Sequence, residues 1–101
     1  MSKVIFHIVT PERWEAIASE ASYVADSLTT EGFIHCSFEN QLDGVIGRYY
    51  SDLEQLLILE IDSALLTSQL VEEASTNGEI YPHIYGPINK DSVVNVREWK
   101  R

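Results

Sequence analysis

The sequence predicts an α+β fold, with a mostly antiparallel or mixed sheet that is partly covered by two helices. Helix-like segments lie in the first half of the chain, whereas strand-like runs crowd the second half. The predicted element order is β-α-β-α-β-β-β-β, without repeats or linkers. A doubly wound parallel sheet would need more crossover helices than this order supplies. With 101 residues, the chain is expected to form one domain spanning 1–101.

The first predicted elements are a strand and a helix. The run Val4–Val9 is rich in β-branched residues, which favour strands. Thr10 is a suitable helix cap, and Pro11 suits the first helical position. Apolar residues then recur at helical spacing, which predicts a helix that extends to residue 21. These apolar positions are Trp14, Ile17, Ala18 and Ala21.

A loop, a strand and a second helix are predicted next. Residues 23–31 show no periodicity and are therefore predicted to form a loop. Gly32 precedes a short predicted strand over 33–36, and Ser37 is the predicted cap of the helix that follows. The apolar face of this helix is formed by Phe38, Leu42, Val45, Ile46 and Tyr49.

The second half of the chain is predicted to contain four strands. A short helical turn over 62–67 is expected after the first of them, and Thr76-Asn77-Gly78 is a strong turn signal. Pro82 restricts the preceding residue to extended backbone. The four predicted strands span 56–61, 70–73, 80–85 and 93–99.

The charge distribution argues against a nucleic-acid partner. The formal net charge is −9, and Arg48 is the only Lys or Arg between Trp14 and Asn89. A nucleic-acid binder needs a basic stripe that releases counterions from phosphates. No apolar run approaches the roughly 20 residues that span a bilayer, so no membrane partner is expected. The single cysteine and the lack of a secretory signal predict a cytoplasmic location.

The three histidines are candidate functional residues. His7, His35 and His83 all lie in strand-like runs with apolar neighbours. Because side chains alternate across a strand, each of the two later histidines shares its face with hydroxyl groups. Such a surface suits a polar ligand or acid–base chemistry. The alternative is three half-buried histidines that hydrogen-bond to backbone. The residues sharing these faces are Phe33, His35 and Ser37, and Tyr81, His83 and Tyr85.

A zinc site is a second alternative for the histidines. Three protein ligands and one water are typical of catalytic zinc, but no pair of histidines here has a short ligand spacing. Cys36 is predicted to point away from His35 into the core, without the electropositive setting that a reactive thiol needs. Glu72 and Glu73 are adjacent in a predicted strand, so one of them faces each side.

Two motifs resemble a known bacterial family, domain of unknown function 952. They are Gly-Phe-Ile-His-Cys-Ser at 32–37 and Tyr-Pro-His-Ile-Tyr-Gly-Pro at 81–87. Further positions match the family's pattern in order, so that the resemblance covers nearly the whole chain. These positions are Phe6, His7, Trp14, Gln41, Leu56–Asp62 and Glu73.

The resemblance implies an ADP-ribosyltransferase-like fold, a split and curved β-sandwich of about six strands with two helices. It implies that His7, His35 and His83 take the three polar positions of an NAD cleft. His83 replaces the Glu of the protein-modifying branch, so arginine transfer is not expected. The implied catalytic residues are His35, His83 and Glu73, and the implied ligand-binding residues are His7, Ser37, Tyr81, Tyr85 and Arg48.

The resulting hypothesis is a cleft that binds a nucleotide-like ligand, NAD or an ADP-ribose derivative. ADP-ribosyl transfer or NAD glycohydrolase activity is the implied chemistry. NAD is the expected cofactor, and no metal is expected. The alternatives are a non-catalytic sensing module, a His-ligated metal-dependent hydrolase and a purely structural protein partner. The oligomeric state stays open.

Overall fold

The computed structural model describes residues 3–101 and confirms the α+β class. This part of the chain forms eight strands and three short helices, rather than six strands and two helices. The strands are Val4–Val9 (β1), Ser22–Tyr23 (β2), Ile34–His35 (β3), Gln55–Asp62 (β4), Gln69–Ala74 (β5), Ile80–Tyr85 (β6), Ile88–Asn89 (β7) and Val93–Lys100 (β8). The α-helices are Pro11–Ala16 (α1), Asp26–Glu31 (α2) and Leu42–Tyr49 (α3). Short 3₁₀ turns span Glu39–Gln41, Ser63–Leu65 and Lys90–Ser92.

The strands form three sheets in which every pair is antiparallel. The first sheet has the order β1-β4-β8, and the second sheet has the order β3-β6-β5. A small third sheet pairs β2 with β7. The first and second sheets are bridged where the Phe6 N–H donates to the Ser37 carbonyl at 2.9 Å and the Ser37 N–H donates back at 2.7 Å.

The first sheet has a buried apolar layer on each face. One layer packs against the second and third sheets, and it includes Ile5, Ile34 and Ile84. The other layer contains Phe6 and packs against α3 through Leu42 and Ile46. Alternation along β1 therefore sends consecutive side chains into different cores.

The first helix is shorter than its apolar spacing predicts. Thr10 is the N-cap as predicted, because its Oγ1 accepts the Arg13 N–H at 3.2 Å. The helix ends at Ala16 rather than near residue 21. The following residues turn so that Ser22–Tyr23 can pair with β7, and this buries Tyr23. Tertiary pairing overrides the local helical pattern here.

The predicted loop over residues 23–31 is wrong. The segment contains part of β2 and all of α2, which ends at Gly32 in the left-handed conformation with φ 88°. Helix α2 has no fully buried residue, and Leu28 packs against the core only in part. A helix without an apolar stripe gives no periodic signal, which explains the error.

Ser37 does not cap the second predicted helix. Its backbone pairs with Phe6 instead, and the 3₁₀ turn Glu39–Gln41 leads into α3. The Gln41 side chain ties this corner together. Its Oε1 accepts the Phe38 N–H at 2.9 Å, and its Nε2 donates to the Ile80 carbonyl at 2.7 Å.

Most remaining predictions agree with the structure. The turn after β4 is present, and the Asp62 side chain accepts the Ala64 N–H at 2.9 Å. Gly78 has φ 84° at the tip of the β5–β6 hairpin. The strands β2 and β7 were not predicted, because two residues are too few to show alternation. No helix within residues 3–101 is long and apolar enough to cross a membrane.

Candidate functional site

The three histidines line one cleft with a volume of about 870 Å³. His35 and His83 lie directly opposite each other on β3 and β6, with ring centroids 5.3 Å apart. His7 approaches from β1, and its Nδ1 lies 2.7 Å from the His35 carbonyl oxygen. Thus three residues that are far apart in the sequence line the same cleft.

Because side chains alternate along a strand, the two histidines of the second sheet lie on the face that is turned away from the core. Ile34 and Ile84 are fully buried in the layer between the sheets. His35 and His83 face the other way, together with Phe33, whose ring stacks on His83 with centroids 4.2 Å apart. The predicted sharing of a face by aromatic and imidazole rings is therefore present.

His7 is a neutral imidazole at pH 7. Burial lowers its pKa from 6.5 to about 4, although the hydrogen bond to the His35 carbonyl opposes this. Because a carbonyl can only accept, the His7 proton lies on Nδ1. Its Nε2 therefore carries a lone pair, which faces the Tyr23 hydroxyl at 3.3 Å.

His83 is held by a carboxylate. Its Nδ1 lies 2.8 Å from the Glu73 Oε1. Hydrogen bonds from Tyr85 and from His83 hold the pKa of Glu73 below its usual value, so Glu73 is ionised at neutral pH. An ionised carboxylate only accepts, which places a proton on His83 Nδ1. No buried side-chain nitrogen or oxygen within residues 3–101 lacks a partner, so the unbonded His83 Nε2 is accessible to solvent, and His83 lines the cleft.

His35 has the opposite orientation at the rim of the cleft. Its Nε2 lies 3.0 Å from the Glu31 Oε2, and about half of its side chain is exposed. The carboxylate therefore places a proton on Nε2, and in the neutral ring the lone pair lies on Nδ1. In each of the three histidines, one ring nitrogen is bound to a protein acceptor. In the neutral rings, the other nitrogen of His35 and of His83 has no protein partner among residues 3–101, whereas that of His7 faces the Tyr23 hydroxyl.

Ser37 and Arg48 add hydrogen-bonding groups to the cleft. The Ser37 Oγ has no side-chain hydrogen-bond partner within the described chain; it is therefore accessible to solvent, and Ser37 lines the cleft. Arg48 is the one Lys or Arg among the cleft-lining residues of the described chain. Its guanidinium donates to the Tyr81 hydroxyl at 2.8 Å, and Tyr81 donates to Glu79 at 2.6 Å.

Two predicted site residues do not line the cleft. Glu73 and Tyr85 lie behind His83, and the Tyr85 hydroxyl donates to the Glu73 Oε1 at 2.5 Å.

The structure also places the side chains of the adjacent Glu72 and Glu73 on opposite faces of β5. Glu73 contacts His83, whereas Glu72 forms an ion pair with Lys3.

Several lining residues were missed by the sequence reasoning. One group of them comes from residues 23–31, the segment that was predicted to be a loop. Glu31 holds His35, and Tyr23 contacts His7. Asp26 also lines the cleft and pairs with Arg13 at 3.1 Å. A polar segment without periodicity offered no signal for them, because their roles arise from tertiary contacts.

The structure also tests two alternatives for the site chemistry, a reactive Cys36 thiol and a metal ion held by protein side chains. Cys36 is buried, and burial raises the pKa of its thiol, so it is not a thiolate nucleophile. This agrees with its predicted place in the core. Among residues 3–101, no three His, Cys, Asp or Glu side chains are arranged to hold a metal ion together.

Comparison with known proteins identifies related sequences and structures. The profile of the family described as "Protein of unknown function (DUF952)" matches residues 8–96. No curated protein matches the chain. The crystal structure of protein CC0527 from Caulobacter crescentus is similar, with a TM-score of 0.85 and 24% identity over 95% of this chain and 85% of that chain.

Two further structures of CC0527 from the same organism are similar. The crystal structure of a double mutant has a TM-score of 0.85 and 23% identity, covering 95% of this chain and 85% of that chain. The solution NMR structure has a TM-score of 0.82 and 23% identity, with coverage of 96% and 84%. At these identities the likeness shows a shared fold.

Proposed function

The chain belongs to the family described as "Protein of unknown function (DUF952)", and we propose that its cleft binds a nucleotide-like ligand, NAD or an ADP-ribose derivative. The resemblance to ADP-ribosyltransferases, stated above from the motifs, motivates the ligand class. The two sheets that are bridged at Phe6 and Ser37 are in keeping with the split sandwich of that fold.

The observation that carries this proposal is a pair of imidazole acceptors, on His35 and His83, that have no protein partner in the described part of the chain and lie in one cleft with His7 and Ser37. In their neutral forms, His35 and His83 each offer one unprotonated ring nitrogen as an acceptor, and the third histidine, His7, shares its lone pair with the Tyr23 hydroxyl. A ribose presents two neighbouring hydroxyl donors, which need acceptors of this kind. The Ser37 hydroxyl can both donate and accept beside them. Such a site favours a neutral polyhydroxylated group at its centre.

The size and rim of the cleft fit the remainder of such a ligand. Its volume of about 870 Å³ lies within the range of small-molecule sites, about 300–1,000 Å³. Tyr49 and Tyr50 offer aromatic faces for a base, and Arg48 offers a cation for a phosphate. Because Arg48 is the one cation there, the cleft favours a ligand with few negative charges over a polyanion.

Cleavage of the nicotinamide–ribose bond is the chemistry we propose for this cleft. The reaction develops positive charge on the sugar, as in glycoside cleavage. Glu31 and Asp26 line the cleft and can stabilise that charge. His83 Nε2 accepts a proton from the attacking water or acceptor hydroxyl as the new C–O bond forms. The electrons of the broken C–N bond leave with nicotinamide, and His83 then passes the proton to solvent.

Thermal unfolding with separate additions of NAD, ADP-ribose, AMP and zinc tests the binding step. A ligand present at about 1 mM and bound at about 10 μM adds about 2.7 kcal/mol. For a domain of this size, we expect the unfolding midpoint to rise by about 10–20 °C. No rise with any nucleotide would contradict the proposal. A rise with zinc alone would favour the metal-dependent alternative.

Matched variants test the location of the ligand. Arg48→Met should weaken ADP-ribose binding roughly tenfold or more, because a charge-assisted hydrogen bond contributes about 1.5–3 kcal/mol. Arg97→Met is the control, since it removes the same charge from β8, where Arg97 pairs with Glu39 outside the cleft. His35→Ala and His83→Ala should weaken binding as well. Wild-type affinity for ADP-ribose in Arg48→Met, His35→Ala and His83→Ala would exclude this cleft as the binding site.

A nicotinamide-release assay separates an enzyme from a sensing module. Incubation of the protein with NAD, followed by chromatographic detection of nicotinamide, measures turnover directly. Release that is lost in His83→Ala would support the catalytic form of the proposal. Binding without release would instead assign the chain to the non-catalytic alternative.

A further inference from the structure

We infer that Glu73 and Tyr85 are positioning residues, which fix the proton of His83 on Nδ1 and direct its Nε2 lone pair into the cleft. This deepens the proposed function and rests on it for the use of that lone pair. The resemblance implied a catalytic Glu73 and a ligand-binding Tyr85. The contacts support a different division of labour, in which His83 alone of the three faces the ligand.

The register of the second sheet brings the three groups together. Val71 lies opposite His83, and Glu73 lies opposite Tyr81 on the same face. Glu73 is therefore the diagonal neighbour of His83, within reach of a long side chain. A single atom, Glu73 Oε1, accepts both from His83 Nδ1 at 2.8 Å and from the Tyr85 hydroxyl at 2.5 Å.

The proton positions follow from the hydrogen bonds. Contact with Glu73 raises the pKa of Tyr85, so the phenol keeps its proton and acts as a donor. The hydrogen bonds from Tyr85 and from His83 lower the pKa of Glu73, so its carboxylate is ionised and has no proton to donate. The proton between Glu73 and His83 therefore belongs to Nδ1. In a neutral ring this leaves Nε2 unprotonated.

Packing fixes the orientation of the ring. Only 10% of the His83 side chain is exposed, and Phe33 stacks on its face with an interplanar angle of 20°. A ring flip would bring Nε2 to the carboxylate and point Nδ1 into the cleft. The bond to Glu73 and the stacked Phe33 oppose this motion. An acceptor that is oriented before binding costs little reorganisation when a hydroxyl arrives.

Nitrogen-15 NMR of the imidazole rings tests this inference without any ligand. Near pH 9, well above the ordinary imidazole pKa of about 6.5, the long-range nitrogen–proton correlations distinguish the two neutral tautomers. We expect wild-type His83 to be mainly the Nδ1–H form. Glu73→Ala should shift the tautomer ratio toward Nε2–H by roughly tenfold or more, which corresponds to about 1.4 kcal/mol.

Companion variants separate positioning from a general structural effect. Glu72→Ala is the matched control, because Glu72 is the adjacent residue on the opposite face of β5 and contacts Lys3. It should leave the His83 tautomer unchanged. Glu73→Gln keeps the side-chain size and should give a shift in the same direction as Glu73→Ala. Tyr85→Phe should give a smaller shift, because the carboxylate then loses one of its two anchors.

The outcomes are independent of the ligand proposal. An Nε2–H form in the wild type, or an unchanged ratio in both Glu73 variants, would overturn the inference. An unchanged ratio in Tyr85→Phe would remove Tyr85 from it. Titration of ADP-ribose into the wild type then tests the proposed function separately. Absence of binding with a normal tautomer shift would reject the ligand and retain the positioning role.

Discussion

At the scale of single residues, burial disfavours the charged imidazolium form of His7. His7, on β1, is almost completely buried beside the end of β3, and the acceptor for its N–H is the His35 carbonyl. A carbonyl satisfies one N–H but supplies no full negative charge to offset a buried imidazolium. Burial therefore dominates, and the folded protein keeps this ring neutral.

This burial predicts a pH dependence of stability. The pKa of His7 falls from 6.5 to about 4 on folding. Between these values the unfolded chain binds a proton that the folded chain excludes, so stability rises with pH. The contribution is complete above about pH 6.5 and is lost as the pH falls toward 4. The shift corresponds to about 3 kcal/mol.

Urea unfolding at several pH values between 4 and 7 measures this contribution. His7→Asn places an amide donor near the position of Nδ1 and removes the titration, so its free energy of unfolding should change less with pH. The wild type measured at the same pH values is the reference for this comparison. Parallel slopes for His7→Asn and the wild type would show that His7 is not the responsible group.

At the scale of elements, the clearest constraint is the corner between β6 and β7. Gly86 has φ 153°, a region that side chains rarely adopt. A Cβ added there would contact the Ser68 Oγ and lie 2.9 Å from the Ser68 Cβ. Ser68 is itself held, since its hydroxyl donates to the Pro87 carbonyl at 2.7 Å. This corner therefore requires glycine for two separate reasons.

We expect Gly86→Ala to lower the free energy of unfolding by about 1–3 kcal/mol, the usual cost of such backbone strain. Gly47→Ala provides the contrast within α3. A Cβ at Gly47 meets no atom within 4 Å, and replacement of a mid-helix glycine by alanine stabilises by about 0.5–1 kcal/mol. The midpoints of urea unfolding, at unchanged slope, report both effects. A neutral Gly86→Ala would contradict the argument.

At the scale of the whole molecule, the sheets share one apolar layer. This layer joins Ile5 and Leu59 of the first sheet, Ile34 and Ile84 of the second sheet, and Ile88 of the third sheet. Neither large sheet can keep its inner face buried if the other separates from it. The cleft depends on the same arrangement, because His7 comes from the first sheet and His35 and His83 come from the second.

We therefore predict one cooperative unfolding transition for the chain, consistent with a single domain. Calorimetry should give equal calorimetric and van't Hoff enthalpies. Near-ultraviolet and far-ultraviolet circular dichroism should lose their signals at the same temperature. Two resolved transitions would mean that the sheets unfold separately, and this would contradict the shared core.

The sequence by itself determined the α+β class, strand β1, most of β4 to β6 and β8, and the family, through the motifs around His35 and His83. These features depend on local preferences, on alternation and on short motifs, all of which neighbouring residues encode. The sequence also showed that one of Glu72 and Glu73 faces each side of β5. It did not show which of them contacts His83.

Only the tertiary structure decided how the histidines meet and which groups hold them. The contact between His7 and His35 crosses two sheets, and Glu31 reaches His35 from a helix that lacks an apolar stripe. Pairing with β7 ended α1 early, and pairing with Phe6 removed Ser37 from its predicted capping role. Each of these outcomes depends on contacts between distant residues, whose free energy exceeds the weak local preferences that the sequence displays.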